Sequence, residues 1–272
     1  MTSQSDKANA FRALHQGPTF VIANAWDGGS ARILAGLGYK AIATSSGAQA
    51  GTYGRRDGAV NRDEALAHCA IIATATDLPV SADFEKGFAD DPNGVAETVR
   101  RAGEIGLVGC SIEDASGNKE KPIYDFAQAV ERVTAAVEAA RAHKFPFTLT
   151  GRYEGFLRGE SDLDNAIKRL QAFEKAGADV LMAPGLSDLA SVKKVCSSLS
   201  KPFNFMVGIP GKSFSVAELT AAGVKRISLA TSLYRFAMTG LAEAAREVME
   251  KGTFGYMDRS MPSPQLRDYM KG

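Results

Sequence analysis

Short apolar runs alternate along the whole chain with longer stretches whose apolar positions recur at helical spacing. The β-prone runs fall at residues 20–23, 41–44, 80–82, 108–112, 147–150, 180–182, 203–206 and 226–229. Between them lie Ala-, Leu- and Glu-rich segments such as 95–105, 127–142 and 163–175. Gly38, Gly106, Gly177 and Gly223 each close a helical stretch just ahead of the next strand, where a left-handed cap is expected. Ala176-Gly177-Ala178 and Ala222-Gly223-Val224 occupy equivalent places in two units. Counting gives about eight βα repeats, which predicts an α/β protein with a closed (β/α)8 TIM barrel. No Gly-x-Gly-x-x-Gly follows the first strand, so an open dinucleotide-binding sheet fits less well. Residues 1–272 are expected to form a single barrel domain. The polar residues 1–10 would be an arm or leading helix, and 253–272, with Pro262 and Pro264, a tail too short for a domain.

Composition narrows the chemistry. The chain has 272 residues, enough for such a barrel, and its 45% hydrophobic and 23% charged content is ordinary for a globular protein. A net charge of +1 gives no global case for nucleic acid or an anionic membrane as partner. No apolar stretch approaches the roughly 20 residues needed to span a bilayer. The first residues carry no apolar signal core, and a cytoplasmic location is expected. Cys69, Cys110 and Cys196 are widely spaced and read as small buried hydrophobes. His15, His68 and His143 fall in helix-like segments and are expected on helix surfaces. That sets aside a Ser-His-Asp triad and a His-based zinc site. The chemistry is left to carboxylates, Arg, Lys, Tyr, backbone amides or a metal.

In a barrel the residues that matter for function gather at the C-terminal strand ends. Leu78-Pro79-Val80-Ser81-Ala82 runs into Asp83 and Glu85, and Val108-Gly109-Cys110-Ser111-Ile112 runs into Glu113 and Asp114. Strand 1 delivers Asn24, Trp26 and Asp27, and strand 2 delivers Thr44-Ser45-Ser46-Gly47, with Asp57 in its loop. Strand 5 delivers Arg152 and Glu154, strand 6 Pro184-Gly185, and strand 7 Asn204 and Met206. Oxygen-only carboxylates suit Mg²⁺ or Mn²⁺ better than zinc. An Arg clamp and a small-residue loop offering backbone N–H groups would hold a small carboxylate and stabilise an enolate oxygen. The competing readings are that each acid caps a helix or pairs with an Arg, and that Arg152 pairs with Glu154 or Glu113. Gly208-Ile209-Pro210-Gly211-Lys212-Ser213 lacks P-loop spacing and reads first as a turn, then as an anion contact. The Lys193-Lys194 pair reads as a solvated patch. A Schiff-base aldolase would need a strand Lys, and the strand segments contain none.

Five motifs in order carry a family resemblance: Asn24-Ala25-Trp26-Asp27, Thr44-Ser45-Ser46-Gly47, Ala82-Asp83-Phe84-Glu85-Lys86-Gly87-Phe88, Ser111-Ile112-Glu113-Asp114 and Gly151-Arg152-Tyr153-Glu154. The set resembles the isocitrate lyase/phosphoenolpyruvate mutase superfamily over nearly the whole chain. The resemblance implies a Mg²⁺-dependent barrel (or Mn²⁺-dependent) that acts on small α-keto or 2-hydroxy carboxylates through an enolate. It implies Asp83, Glu85 and Glu113 as metal ligands, directly or through water, with Glu85 standing where the family usually has Asp. It further implies catalytic roles for Arg152, Asp57 and Glu154. Trp26, Ser45, Ser46, Gly47 and Asn204 would bind substrate.

One segment departs from the family. Its carbon–carbon lyases carry Lys-Lys-Cys-Gly-His on the loop after strand 4, with the Cys as proton donor. Here that loop reads Ala115-Ser116-Gly117-Asn118-Lys119-Glu120-Lys121-Pro122-Ile123-Tyr124, without Cys or His, and it also lacks the mutases' Asn-Ser-Leu-type segment. Cys110, inside strand 4, cannot stand in for a loop residue. The expected function is cleavage or rearrangement of a C–C or P–C bond beside a keto group, of lyase, decarboxylase or phosphonomutase type. The alternative is a barrel that binds a dicarboxylate without turning it over. The resemblance also implies a homo-oligomer, dimer or tetramer, that exchanges C-terminal helices.

Overall fold

The structure is a computed structural model that describes residues 2–211 and 213–271. Eight parallel strands close into a barrel in sequence order, as the alternation predicts. They are β1 (Phe20–Asn24), β2 (Ile42–Ala43), β3 (Val80–Asp83), β4 (Gly109–Glu113), β5 (Thr148–Arg152), β6 (Val180–Met182), β7 (Phe203–Met206) and β8 (Arg226–Ser228). A leading helix α1 (Gln4–Leu14) precedes them. The connecting helices are α2 (Gly28–Gly36), α3 (Ser46–Thr52), α4 (Arg62–Ala75), α5 (Pro92–Glu104), α6 (Phe126–Arg141), α7 (Leu163–Ala176), α8 (Leu189–Ser197) and α9 (Val216–Ala221). After β8 come α10 (Ser232–Lys251) and α11 (Ser263–Met270). The four glycines expected to cap helices all have positive φ, between 91° and 105°. Among the described residues no helix is long and apolar enough to cross a membrane.

The main core lies between strands and helices, where Ile42, Phe84, Ile112, Leu149, Phe173 and Phe203 are buried. Inside the barrel the filling is unusually polar. Ser81, Thr150, Asn204, Arg226 and Ser228 are all buried there, where a barrel of this kind more often carries bulky branched side chains.

Of the two readings of residues 1–10, an arm or a leading helix, the structure has the helix. Helix α1 runs on to Leu14 and plugs the N-terminal mouth of the barrel, with Ala8 and Phe11 buried against Ile22, Ala41 and Val108. Gln4 Nε2 donates to the carbonyls of Gly103 and Leu107 at 2.7 and 2.9 Å, and Lys7 Nζ to that of Thr76 at 2.7 Å. A second small core under the barrel is what orders this polar segment. The tail packs in part on α2. Tyr269 of α11 covers Gly36 of α2, and Arg32 Nη1 donates to the Met270 carbonyl at 2.7 Å. By contrast α10 buries no residue and exposes Phe236, Leu241 and Met249.

The histidines correct a further expectation, because His15 and His68 are buried rather than on helix surfaces. His15 follows α1 and turns into the barrel. Its Nδ1 donates to the Phe11 carbonyl at 2.8 Å, which leaves Nε2 to accept from Arg226 Nη1 at 3.3 Å. Arg226 spans the interior, donating from Nε to Asn204 Oδ1 at 2.7 Å and from Nη2 to Thr150 Oγ1 at 2.8 Å. His68 Nε2 donates to the Trp26 carbonyl at 2.7 Å. Only His143 is partly exposed, stacked on Phe145 with ring centroids 5.2 Å apart.

Burial, and then the neighbouring Arg226 charge, push the His15 pKa down to about 3. The folded state thus binds fewer protons than the unfolded state between that value and the ordinary histidine range. The stability this represents is complete above the ordinary range and is lost as pH falls. In urea unfolding series, wild type should lose up to about 1.4 kcal/mol per pH unit more than His15→Gln between about pH 6 and pH 4. Parallel curves for the two proteins would mean that His15 does not stay neutral in the fold.

Candidate active site

The register of β4 and β5 sets Glu113 beside Arg152 at the C-terminal rim. The Arg152 guanidinium is the hub of the rim. Its Nε lies 2.5 Å from Glu154 Oε1 and 3.4 Å from Glu113 Oε2, and its Nη1 lies 3.5 Å from Asp83 Oδ1. Glu154 Oε2 also faces Arg158 Nη2 at 3.7 Å. Asp83, last residue of β3, is fixed from several sides. Its Oδ2 accepts from Ser46 N and Ser46 Oγ at 3.2 and 3.1 Å, and its own N–H donates to Thr44 Oγ1 at 3.0 Å. Ser46 opens α3, so a carboxylate sits where the first-turn N–H groups point.

The turn after β3 aims the next acid. Glu85 has φ +49°, a left-handed conformation that costs a side-chain-bearing residue free energy and persists only where its surroundings enforce it. Gly87 N donates to the Phe84 carbonyl at 2.7 Å and closes the turn. Asp57 is exposed as a residue, yet its carboxylate turns inward over α3. A Cβ added at Gly47 would lie 3.2 Å from Asp57 Oδ2 and 3.0 Å from Thr231 Cγ2, so only glycine leaves that corner open.

Ser46, Asp57, Glu85, Glu113, Arg152 and Arg158 line one cavity of about 540 Å³. Below it a narrow throat of about 50 Å³ runs between Asp83 and Arg152 down to Asn204 and Arg226. Carboxylates outnumber the cations that neutralise them, and this adds to what burial does to their pKa values. Burial, then Asp83 and Asp57, push Glu85 up to about 7. Burial and Asp83 raise Asp57. Burial raises Glu113 well above the carboxylate range, with Arg152 opposing and Glu154 adding to the rise. For Arg152, burial works against the charge, but Glu154, Glu113 and Asp83 prevail and keep it protonated.

Among the described residues no three His, Cys, Asp or Glu side chains stand as a ready-made direct ligand set for a metal ion. The oxygen-only donors and their charge excess still fit Mg²⁺ or Mn²⁺, since Mg²⁺ keeps several waters and takes one or two carboxylates directly. Asp83, Glu85 and Glu113 would then share the hydrated ion, with Asp57 beside them.

Other strand-end residues serve the frame. Asp27 caps α2, and Asp114 turns away to accept from Arg169 Nη1 at 3.1 Å and Glu154 N at 2.8 Å. Burial raises Asp114 to about 7, against the pull of those two donors. The Ser45 hydroxyl accepts from Ala48 N at 3.3 Å as the cap of α3. Asn204 lies in the throat, its amide held between Arg226 and Ser228 Oγ. Trp26 packs edge-on against Tyr234 at 5.6 Å and does not line the cavity. Nor do Gly208–Gly211 and Ser213, while Lys212 of that loop lies outside the described residues. Lys86 and Arg158 went unnoticed in the sequence. Lys86 Nζ donates to Asp90 Oδ1 at 2.5 Å and to the Ser116 carbonyl at 3.0 Å, tying down the loop after β4. The four-residue spacing from Glu154 to Arg158 was the available signal for the second.

A closed parallel barrel with carboxylates and an arginine gathered at its C-terminal rim has the layout shared by barrel enzymes. Among these, the chain belongs to the phosphoenolpyruvate phosphomutase family, whose model matches residues 11–249, in the isocitrate lyase/phosphoenolpyruvate mutase superfamily. It is similar to the crystal structure of a candidate lyase/mutase from Burkholderia cenocepacia J2315, with 46% identity, a TM-score of 0.97, and coverage of 99% of this chain and 97% of that one. It is 30% identical to 2-methylisocitrate lyase of Escherichia coli K12 over 227 residues, 79% of this chain and 75% of the relative. It is 29% identical to oxaloacetate decarboxylase of Ectopseudomonas mendocina over 208 residues, 74% of this chain and 70% of the relative.

Because Glu85 is raised to about 7, the metal-free fold binds extra protons between the ordinary carboxylate range and that value. Stability should therefore fall as pH rises through that window. Glu85→Gln should flatten the fall, raise the metal-free Tm at pH 8 by about 2–4 °C, and shrink the Tm gain produced by Mg²⁺. Differential scanning fluorimetry with and without Mg²⁺ decides it; a variant that behaves as wild type would remove Glu85 from the site.

Proposed function

We propose that this protein is a Mg²⁺- or Mn²⁺-dependent enzyme that breaks the bond beside the keto group of a small α-keto or 2-hydroxy carboxylate through an enolate. Loss of CO₂ from a four-carbon 2-oxo diacid is the reaction that its loop suits best. The observation that carries this is the ring of Asp57, Asp83, Glu85 and Glu113 set around the Arg152 end of one cavity. A bound divalent ion would supply positive charge opposite the carboxylate and carbonyl oxygens of the substrate. Arg152 would fix the substrate carboxylate or meet the charge that develops. Ser46 and Gly47 would border it from α3, while Glu154 keeps the Arg152 plane in place.

The loop after β4 supports the choice of reaction. Ala115 and Gly117 are what it presents to the cavity, and neither can give a proton. Decarboxylation needs none from the loop: the C–C bonding pair moves into the enolate, CO₂ leaves, and water later protonates the carbon. The similarity to a 2-methylisocitrate lyase and an oxaloacetate decarboxylase supports this class. The exposed Phe236, Leu241 and Met249 on α10 support a homo-oligomer in which that helix packs on another copy.

A panel of 2-oxo and 2-hydroxy acids should reveal a Mg²⁺-dependent product, and Asp83→Ala and Arg152→Ala should each lower kcat/KM by about 10²–10³-fold with the fold intact. Full activity in both variants would remove the assignment. Oxalate, an enolate mimic, should stabilise the protein only with the metal present, by about 2.7 kcal/mol at a hundred times Kd. Stabilisation without turnover of any acid would favour the dicarboxylate-binding barrel. Sedimentation at micromolar concentration should give a dimer or tetramer, and a monomer would refute the role given to α10.

A further inference from the structure

We propose that the groove on the N-terminal face of the barrel, opposite the active site, binds a small anion carrying two or more linked phosphate groups. The groove encloses about 600 Å³ between the end of α1, the α6–β5 connection and the segment that leads into β7. Four cations line it, Arg12, Arg141, Lys144 and Lys201, against one carboxylate, Asp179. That carboxylate is already committed: its Oδ1 meets Arg141 Nη2 at 2.7 Å, and its Oδ2 accepts from Leu149 N at 2.8 Å. Arg12, Lys144 and Lys201 come from three different segments and are exposed. Among the described residues none of them forms an ion pair.

The rest of the chain does not explain this surplus. Net charge is only +1, so the imbalance is local. The C-terminal ends of α1 and α6 point here, and each brings about half a negative charge. Together they offset about one of the four cations. His15 forms part of the groove wall, and behind it stands the guanidinium of Arg226, which has no carboxylate partner among the described residues. The low-dielectric wall thus adds positive potential to the groove instead of cancelling it.

The number of unpaired cations and their origin in three segments select the ligand. One exposed Lys or Arg holds an anion weakly, because water screens it. A linked di- or triphosphate spreads several charges along a chain that can meet cations from three segments at once. A single phosphate or a short diacid brings less charge to the three. The groove volume also leaves room for an organic group beyond the phosphates.

Titration calorimetry of metal-free protein with inorganic tripolyphosphate, in about 0.1 M salt, tests the assignment. One saturable site is expected, unchanged in Asp83→Ala and weakened at least about tenfold in Lys144→Glu/Lys201→Glu. Lys168→Glu/Lys193→Glu, with the same charge change elsewhere, should bind as wild type. Inorganic phosphate should bind at least about tenfold more weakly than the triphosphate. ATP separates the sources: equal affinity identifies the phosphate chain alone, and tighter binding a nucleotide. No saturable binding at millimolar concentration overturns the proposal. So does equal weakening in both charge-reversed proteins, which would be a net-charge effect, or loss in Asp83→Ala, which would place the anion in the catalytic cavity.

Discussion

Everything at the rim is arranged around the Arg152 guanidinium. Burying a cation is costly unless acids and hydrogen bonds surround it, and Glu154, Glu113 and Asp83 do so from three directions. Those acids are in turn tied to other elements: Asp83 to the start of α3, Glu113 to β5 by register, and Glu154 to Arg158 and, through its N–H, to Asp114. Asp114 passes the constraint outward to Arg169 of α7. One arginine therefore sets the relative positions of α3, β3, β4, β5 and α7. The same geometry leaves more carboxylate than it neutralises, the condition in which a divalent ion adds most.

A second guanidinium governs the level below. Among the described residues Arg226 has no acidic partner and is held by neutral acceptors, Asn204, Thr150 and His15. Burial alone lowers its pKa to about 9. This explains why Ser and Thr fill the barrel where aliphatic side chains would pack more simply, and why His15 must be neutral. Asn204 is better understood as a bridge between Arg226 and Ser228 than as a free amide. Its position in the throat makes the floor of the site continuous with the plug formed by α1.

Much of this was legible in the sequence, for a reason that also marks the limit. Strand positions follow from local apolar runs, and the αβ junctions from glycines at left-handed positions, so all eight strands could be placed. Asp83, Glu85, Glu113 and Arg152 could be found because a parallel barrel gathers its C-terminal strand ends whatever the helices do. Which side chain crosses to which partner is not a local property. His15 meets Arg226 across 211 positions, and nothing in the helical periodicity around it signals a turn into the barrel. Asp114 follows Glu113 at the end of β4, yet it turns the other way and meets Arg169, a partner that the local sequence does not signal.

The proton inventory of the cavity constrains the chemistry more tightly than the identity of any single residue. Burial first, and then the like charges around them, raise Glu85, Asp57 and Glu113 above the ordinary carboxylate range, and a divalent ion placed among them would favour their charged forms. Arg152 is charged and committed to carboxylates, Lys86 is bound to Asp90 and the Ser116 carbonyl, and Arg158 faces Glu154. Cys110 is buried in β4, where burial raises its thiol further. If the proposed ion were bound there, water would be the proton source left to the cavity. A reaction whose enolate must be protonated on one face by a positioned acid is poorly served by such a cavity. One that expels CO₂ and leaves the final protonation to solvent asks nothing that these residues lack.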